Sequence, residues 1–475
     1  MLGKAYLTDR EVFCYGIGDA GQAIMGTLIS FYQLFYFTDV MRLSLPSVAG
    51  LFLLTKFIDT ISYPVFGFIL DRSRGGVGAF LRWRIWLIAP FFGASVLLFT
   101  FDHNWNMATR LAYAYIVLSV FVLLSALISV VYSGLISAIS LQARDRARLS
   151  SVRFIFAFGA GTVATFSVHY LVDAFGGKDG GGFQTVAFIF SMFAAFALYL
   201  TGSATRQRSP EGREVPPKTL RATLNIFKYP NFLAPIAASF FTGLFVVFKA
   251  QMAIYFISYV MRRDDIMGVM LAGGTLSSAI GVSLTWLVIT RINRRILYVV
   301  LMLANSFFIF VVFLTKPTDI STIIILHCVN SALGGASAPV IFSIYSDVVD
   351  YFDDQLSLRA PAFVNAIAML AGRIGSSLGM VLTPLCLAFF HYRPNAPQTA
   401  ESSFGIVLMF TIVPAVLAAL SALAMLPYSL TNRSSDDISV RLMARKAEIG
   451  RPTGIEKSNE GPNLNDHNLK GGHLM

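Results

Sequence analysis

The stretch that decides the fold spans residues 51–86 and reads LFLLTKFIDTISYPVFGFILDRSRGGVGAFLRWRIW. Its first part is a run of about twenty mostly apolar residues, which is long enough to cross a bilayer as a helix. Lys56 and Asp59 interrupt that run. A charge near the bilayer centre costs at least ~2.5–3.5 kcal/mol on insertion scales, so such residues usually face a polar interior. The i,i+3 spacing puts both on one helix face, with Tyr63 one turn further along it.

A basic loop follows this helix. The sequence DRSRGG at residues 71–76 leads into a segment that closes with Arg82 and Arg84. A membrane helix with an internal ion pair and a basic loop at one end is typical of a transport protein.

The composition is that of a helical membrane protein with many spans. Of the 475 residues, 55% are hydrophobic and 13% are charged, against roughly 25% charged residues in soluble domains. The net charge of +11 comes from basic residues scattered between apolar runs, which argues against nucleic-acid binding. The three cysteines and six histidines lack metal-ligand spacing, so we expect no metal site, no cofactor and no enzyme active site.

Apolar runs predict an all-α integral membrane protein of about twelve transmembrane helices in two six-helix halves. Two six-helix halves joined by a basic linker resemble the major facilitator fold, although the number of spans alone does not distinguish it from other transporter folds. The predicted spans lie near 12–38, 48–70, 85–102, 111–140, 154–174, 184–203, 232–260, 265–290, 296–315, 320–348, 361–390 and 404–427. The predicted domains are an N-terminal half at 1–203, a linker at 204–231, a C-terminal half at 232–427 and a mobile tail at 428–475.

Basic residues predict the orientation in the membrane. The even-numbered connections hold 18 Lys and Arg residues and the odd-numbered ones hold 7. Because cytoplasmic loops carry an excess of Lys and Arg, both termini should be cytoplasmic. We expect a monomer that crosses the plasma (inner) membrane many times and contacts its lipids. The first apolar run carries Asp19 and is too long for a cleaved signal peptide.

Charged residues inside the spans need partners. Arg373 stands in the sequence GRIG of span 11, and a buried arginine requires a carboxylate or an anionic ligand. Asp59 and Asp19 are its candidate partners across the two halves. Lys249 of span 7 has no acidic residue near it in sequence, so it faces the cavity or extends toward the membrane surface.

Span 1 contains YGIGDAGQ at residues 15–22. Its glycines allow helices to approach closely, while the carboxylate of Asp19 must be solvated or paired. Asp19 is therefore either a polar recognition residue or a structural partner of a buried basic residue. Arg153, which begins span 5, could point into the same cavity.

Two charged segments predict a latch between the halves. The sequence ARDRARLSSVR at residues 143–153 suits a cytoplasmic turn. Asp347 and Asp350 are an i,i+3 pair near the predicted end of span 10, where the helix dipole disfavours anions. They need basic partners, and arginines of the second or fourth connection, such as Arg144 and Arg146, would supply them.

These motifs together resemble the glycoside–pentoside–hexuronide:cation symporter family, in a melibiose permease-like pattern. The resemblance extends from about residue 15 to 392 and rests on YGIGDAGQ, TKFIDTISYP with DRSRGGVG, ARDRARLSSVR, and SDVVDYFDD followed by AGRIG. It implies that Asp59 is a cation-site carboxylate, that Lys56 is its helical neighbour, and that Arg373 is the counterpart of a lysine reaching that site.

The chain departs from that pattern at several positions. Tyr63 replaces a second cation-site aspartate, Gln22 replaces a sugar-site lysine, and Ser129 replaces a sugar-binding aspartate. A galactoside is therefore not implied, although a sugar is favoured. The candidate substrate-binding residues are Asp19, Gln22, Ser129, Tyr132, Arg153, Lys249 and Met369.

The favoured function is secondary active transport of a small polar solute, a glycoside or a related sugar or uronate, coupled to a cation. Sodium needs several oxygen ligands, and span 2 offers only Asp59 and the neutral phenol of Tyr63. A proton needs a single carboxylate, so the sequence favours proton coupling and leaves sodium possible. The alternatives are transport of a lipid-like amphiphile, a non-transporting receptor and a membrane enzyme.

Overall fold

The computed structural model describes residues 7–72, 84–102, 104–139, 143–177, 181–205, 225–289, 291–356 and 361–432, together with a few residues between 434 and 441. Within these ranges every regular element is a helix. The predicted all-α membrane fold is confirmed. Eleven of the described helices are long and apolar enough to cross a membrane, and one further apolar helix is shorter.

Twelve helices follow one another in the described parts of the chain. Odd-numbered helices of this series run away from the end where the linker leaves the bundle, here called the linker end, and even-numbered helices return to it. Their bounds are α1 Asp9–Val40, α2 Leu45–Arg72, α3 Arg84–Leu98, α4 Met107–Ile139, α5 Ala143–Ala174, α6 Gly182–Ala204, α7 Pro230–Met261, α8 Met267–Ile289, α9 Arg294–Leu314, α10 Ile320–Leu356, α11 Pro361–Phe389 and α12 Ala400–Ala424.

Helix α2 shows how the apolar surface is divided. Leu53, Phe57 and Ile61, spaced four residues apart, have 60%, 64% and 44% of their surface exposed. Leu51 and Phe52 are fully buried. A continuous exposed stripe of large apolar side chains is unfavourable in water and suits contact with lipid tails.

Buried apolar residues form two cores. The larger core joins both halves at the end opposite the linker, where Phe35 and Tyr36 of α1 pack in one cluster with Tyr255 and Phe256 of α7. All four rings are buried. The smaller core belongs to the C-terminal half alone. It includes the fully buried Tyr428, so the chain stays packed beyond the predicted start of the tail.

Two predicted helix boundaries are wrong. The segment 143–153, predicted as a turn, is the first part of α5, because Ala, Arg and Leu are strong helix formers even when charge suits a loop. Helix α10 continues through the acidic residues to Leu356. Asp347 and Asp350 therefore lie inside α10, more than one turn before its end.

The first helix of each half ends in the same unusual way. Helix α1 contains π-helical turns at Leu28–Tyr32 and Tyr36–Val40, and α7 ends in a π-helical turn at Phe256–Met261. Shortly after each comes an arginine with left-handed backbone, Arg42 at φ 58° and Arg262 at φ 54°. Non-glycine residues adopt this conformation at a cost of roughly 1–2 kcal/mol, so the surrounding contacts must hold both chain reversals in place.

Glycines bring α7 and α11 into backbone contact. A Cβ added at Gly375 would lie 2.0 Å from the carbonyl oxygen of Phe240, and one at Gly243 would lie 2.1 Å from that of Gly372. Helices can approach this closely only where side chains are absent. Arg373 lies between the two α11 glycines, on the helix that packs against α2 of the other half.

We predict that Gly375→Ala destabilises the protein and that Gly372→Ala does not. The added methyl group at residue 375 meets rigid backbone, whereas at residue 372 the nearest atom, the carbonyl oxygen of Ser239, is 3.7 Å away. Overpacking typically costs about 1–3 kcal/mol. Thermal unfolding of the two purified variants in detergent checks this, and equal midpoints would contradict the packing argument.

Candidate transport site

A salt bridge inside the N-terminal half organises the first polar group. Nε of Arg153 on α5 lies 2.9 Å from Oδ2 of Asp19 on α1. The guanidinium carbon of Arg153 also lies 5.2 Å from the ring centroid of Tyr132 on α4, a cation–π distance. Asp19 is thus paired with Arg153 and not with Arg373, which corrects one of the two pairings that the sequence left open.

Tyr132 is held by its contact with Tyr15. The two rings stack with centroids 4.7 Å apart and planes 10° from parallel. Each phenol donates to the main-chain carbonyl oxygen of the other residue. A Cβ at Gly18 would lie 2.2 Å from Oγ1 of Thr201 on α6 and 2.9 Å from the Tyr132 ring, so this glycine of YGIGDAGQ is needed for the close approach of α1 and α6 and leaves room for the Tyr132 ring.

Two further predicted residues join this group. Oγ of Ser129 donates to Oε1 of Gln22 over 3.4 Å, and these residues lie one turn from Tyr132 and Asp19. Nε2 of Gln22 and Oγ of Ser125 are buried without a partner. Unpartnered buried polar atoms are rare in proteins and mark places where a ligand or water acts. We call the predicted members of this group the polar wall: Asp19, Gln22, Ser129, Tyr132 and Arg153.

The second group spans the two halves. Oδ2 of Asp59 on α2 lies 3.9 Å from Nζ of Lys56 and 4.0 Å from Nη1 of Arg373 on α11. The guanidinium carbon of Arg373 lies 3.7 Å from the centroid of the Tyr63 ring. The predicted meeting of Asp59 and Arg373 across the boundary is present in the structure. We call Lys56, Asp59 and Arg373 the charge triad.

The side chains of the charge triad are partly exposed. The exposed fraction is 26% for Lys56, 23% for Asp59 and 44% for Arg373. One carboxylate thus serves two cations at ion-pair distances. Binding of a further cation or anion at this group would change the charge balance between the halves.

Two predicted substrate residues lie elsewhere. Lys249 is 9% exposed and lines a cavity within the C-terminal half together with His327 and Asn330. Met369 is 56% exposed on α11, one turn before Arg373. Among the described residues, no contact joins either of them to the polar wall.

In the part of the chain that the structure describes, Asp347 of the predicted latch contacts a residue of its own half. Nη1 of Arg294, the first residue of α9, lies 2.6 Å from Oδ2 of Asp347, within the C-terminal half. The side chains of Arg144 and Arg146 lie outside the described residues, as does most of the second connection. Contacts of Asp347 or Asp350 with those connections therefore stay a prediction.

At the end opposite the linker, a carboxylate of α1 is held by the other half. Asp39 is 2% exposed, and its Oδ1 accepts hydrogen bonds from Tyr259 of α7 and, over 2.6 Å, from Tyr392 beyond α11. Its main-chain oxygen accepts from Nδ2 of Asn395 over 2.6 Å. We call Asp39, Tyr259, Tyr392 and Asn395 the closing cluster, because they join the halves at this end.

Thr38, the neighbour of Asp39, makes a further contact between the halves at this end. Oγ1 of Thr38 and the phenol of Tyr255 lie 2.7 Å apart, and the Tyr255 ring packs edge-on against Tyr392 with centroids 5.3 Å apart. Hydroxyl groups therefore satisfy the α1 carboxylate, while their rings fill the space around it.

Sequence reasoning missed the closing cluster because Asp39 lies just past the predicted end of span 1. A signal was present in an internal repeat. The sequence YFTDVMR at 36–42 is matched by YFISYVMR at 255–262, the same two segments that form π-helical turns. A repeated motif at the end of the first helix of each half would have drawn attention to both Asp39 and Tyr259.

Comparison with known proteins identifies the family of the chain. The family model described as MFS/sugar transport protein matches residues 14–432. The chain belongs to this family. It is a membrane transporter of the major facilitator superfamily and not an enzyme.

Individual known proteins resemble the chain over nearly its whole length. It is 27% identical to the inner membrane symporter YicJ of Escherichia coli over 455 residues, 93% of this chain and 96% of that one. It is 26% identical to the isoprimeverose transporter of Lactiplantibacillus pentosus over 454 residues, 94% of this chain and 92% of that one. The inward-open xylose transporter XylE of E. coli shares the fold, with a TM-score of 0.59, 14% identity and coverage of 91% and 98%.

We predict that Asp59→Asn destabilises this transporter more than Arg373→Gln. The first change leaves two cations without their shared carboxylate, whereas the second leaves the Lys56–Asp59 pair. The expected fall in unfolding midpoint for Asp59→Asn is about 2–5 °C. The double variant Asp59→Asn/Arg373→Gln should regain part of that loss in thermal unfolding. A double variant less stable than Asp59→Asn would show that the triad is not coupled in this way.

We also predict that Tyr259→Phe or Tyr392→Phe favours opening at the Asp39 end. Each removes one donor to a buried carboxylate, a bond worth about 1.5–3 kcal/mol, so the open population should rise about tenfold or more. Spin labels at the exposed residues Asn104 and Lys316, in a background without native cysteines, report the distance between the halves.

The matched control is Tyr113→Phe. Its phenol donates to the carbonyl oxygen of Leu97 over 2.8 Å within the N-terminal half. Removing it should leave the distance distribution unchanged. If Tyr113→Phe and Tyr259→Phe shift the distribution equally, the closing cluster does not hold the halves together.

Proposed function

We propose that this transporter carries a glycoside or a related sugar or uronate by proton-coupled symport. The observation that carries the proposal is the convergence of α1, α4 and α5 on the polar wall, with the charge triad at the boundary of the halves. A carrier for a lipid-like amphiphile would present an apolar slot at the same helices. Hydrogen-bonding side chains such as Gln22 and Ser129 suit the hydroxyl groups of a sugar instead.

The charge balance supports an acidic group on the solute. Lys56, Arg153 and Arg373 face only two carboxylates, Asp19 and Asp59, within the polar wall and charge triad. One positive charge is left over, and a uronate carboxylate would neutralise it.

Proton binding at Asp59 would couple proton movement to binding of the solute. In the charge triad a neutral Asp59 leaves Lys56 and Arg373 without their shared counter-ion, so the affinity for an acidic solute rises. Release of the proton restores the triad and lowers that affinity. Each ligand thus changes the affinity for the other by the same factor, as thermodynamic linkage requires.

We propose that the protein lies in the inner membrane with both termini on the cytoplasmic side. It rests on the excess of Lys and Arg in the even-numbered connections. The closing cluster then lies on the periplasmic side, and the chain acts as a monomer surrounded by lipid.

The test is uptake of labelled glycosides and uronates by vesicles that contain the purified protein. We expect accumulation of at least one of them to follow an imposed pH gradient. Asp59→Asn should abolish accumulation and retain downhill exchange, because the carboxylate that carries the proton is lost while the polar wall remains.

The matched control is Asp173→Asn, since Asp173 is half-exposed near the end of α5 and pairs with His169 over 3.4 Å. It should accumulate substrate as the unaltered protein does. Accumulation driven by a sodium gradient at constant pH, with none driven by protons, would refute proton coupling.

A further inference from the structure

Gly26 is an exposed position on a helix that is otherwise well covered. Helices α5 and α6 pack along two sides of α1. In α1, which the structure describes over its whole length, the only exposed residues after Phe13 are Gly26 and Ser30. A Cβ added at Gly26 would meet no atom within 4 Å. An open space therefore adjoins this turn of α1.

The open space lies on the side of α1 that carries the polar wall. Gly26 follows Asp19 by seven residues and Gln22 by four. Because each residue of an α-helix turns by about 100°, Gly26 points between these two residues around the axis. Gly16 and Gly21 make the close contacts of α1 with α5 and α6. On the same helical geometry they point about 80° and about 140° away from Gly26, so the space is not on either of those covered sides.

Contacts with the C-terminal half close the space at the end away from the linker. Helix α7 packs against the π-helical turn Leu28–Tyr32, directly beyond Gly26. A Cβ at Gly161 of α5 would lie 3.4 Å from Oγ1 of Thr27 and 4.0 Å from Thr275 of α8. The space at Gly26 therefore extends the polar wall up to the level at which the two halves meet.

The polar wall and this space together suit a solute longer than one sugar ring. Seven residues of α-helix, the separation of Asp19 and Gly26, rise by about 10 Å, which exceeds the length of a single pyranose ring. Ser30, four residues beyond Gly26, is exposed and carries a hydroxyl group, and no large apolar side chain of α1 is exposed beyond Phe13. This lining suits a second sugar unit better than an apolar aglycone.

We propose that the transported solute is a disaccharide, with one ring on the polar wall and the second beside Gly26. The inference rests on the proposed function and narrows the class of sugar that the site takes. Gly26 is then a specificity-determining residue, because any side chain at this position occupies the space that the second ring needs.

The first experiment compares sugars that differ only in the second unit. The purified protein is titrated calorimetrically with xylose and xylobiose, with glucose, cellobiose and maltose, and with glucuronate and an aldobiouronate. In at least one set the disaccharide should bind about tenfold more tightly than its monosaccharide, or better. Equal affinity for monosaccharide and disaccharide in every set would overturn the inference and leave sugar transport standing. If no sugar of the panel binds, the proposed function itself fails.

The second experiment changes the size of residue 26. Gly26→Leu fills the open space, so it should weaken binding of the favoured disaccharide about tenfold or more and keep the affinity for its monosaccharide within about twofold. Gly26→Ala adds one methyl group that meets no atom and favours the helix. It should fold as the unaltered protein does and weaken disaccharide binding by a smaller factor, so the inference stays testable if Gly26→Leu does not fold.

The matched control is Gly159→Leu on α5. Gly159 is also exposed, and a Cβ added there would also meet no atom within 4 Å. It follows Arg153 by six residues and so points about 120° away from it around the helix, off the polar wall. This variant should bind both sugars as the unaltered protein does. If Gly26→Leu keeps full affinity for the disaccharide, or loses both sugars equally, Gly26 does not select the length of the solute.

Discussion

A carboxylate inside a membrane-spanning helix must find a partner, and this requirement shapes the bundle. Three aspartates of the first two helices meet it in three ways. Asp19 pairs with an arginine of its own half, and Asp59 shares two cations, one from each half. Asp39 receives tyrosine hydroxyls from the opposite half. The first pairing is internal to a half, and the other two connect the halves.

This division separates the contacts that can persist through a transport cycle from the contacts that must break. Contacts inside one half survive any rotation of the halves, so the polar wall and the α7–α11 glycine contact can be kept throughout a transport cycle. Contacts between halves must break and form again. Hydroxyl groups suit such a contact at Asp39, because water can replace a tyrosine donor more easily than it can replace a buried counter-ion.

Much of the fold and part of the site could be predicted from the sequence. Apolar runs of spanning length indicate twelve helices, and charges within them indicate Lys56, Asp59 and Arg373, because a buried charge is too costly to occur without a reason. Partners were harder to predict. The contact of Asp347 with Arg294 of its own half was not predicted, since helix periodicity gives the face of a residue and says nothing about which distant segment covers it. Lys249 was grouped with the substrate residues for its charge alone, and only packing places it in a separate cavity.

The π-helical turns of α1 and α7 have a consequence for sequence change in this region. Each wider turn holds one residue more than an α-helical turn, and Asp39 and Tyr259 both sit within such turns. Removing a single residue there would close the wide turn into regular α-helix and move the residues within the turn to other positions around the axis. The carboxylate and the phenol would then point in different directions. We therefore expect natural variation in this region to be constrained in length more strictly than in composition, with one-residue deletions far rarer among relatives than substitutions.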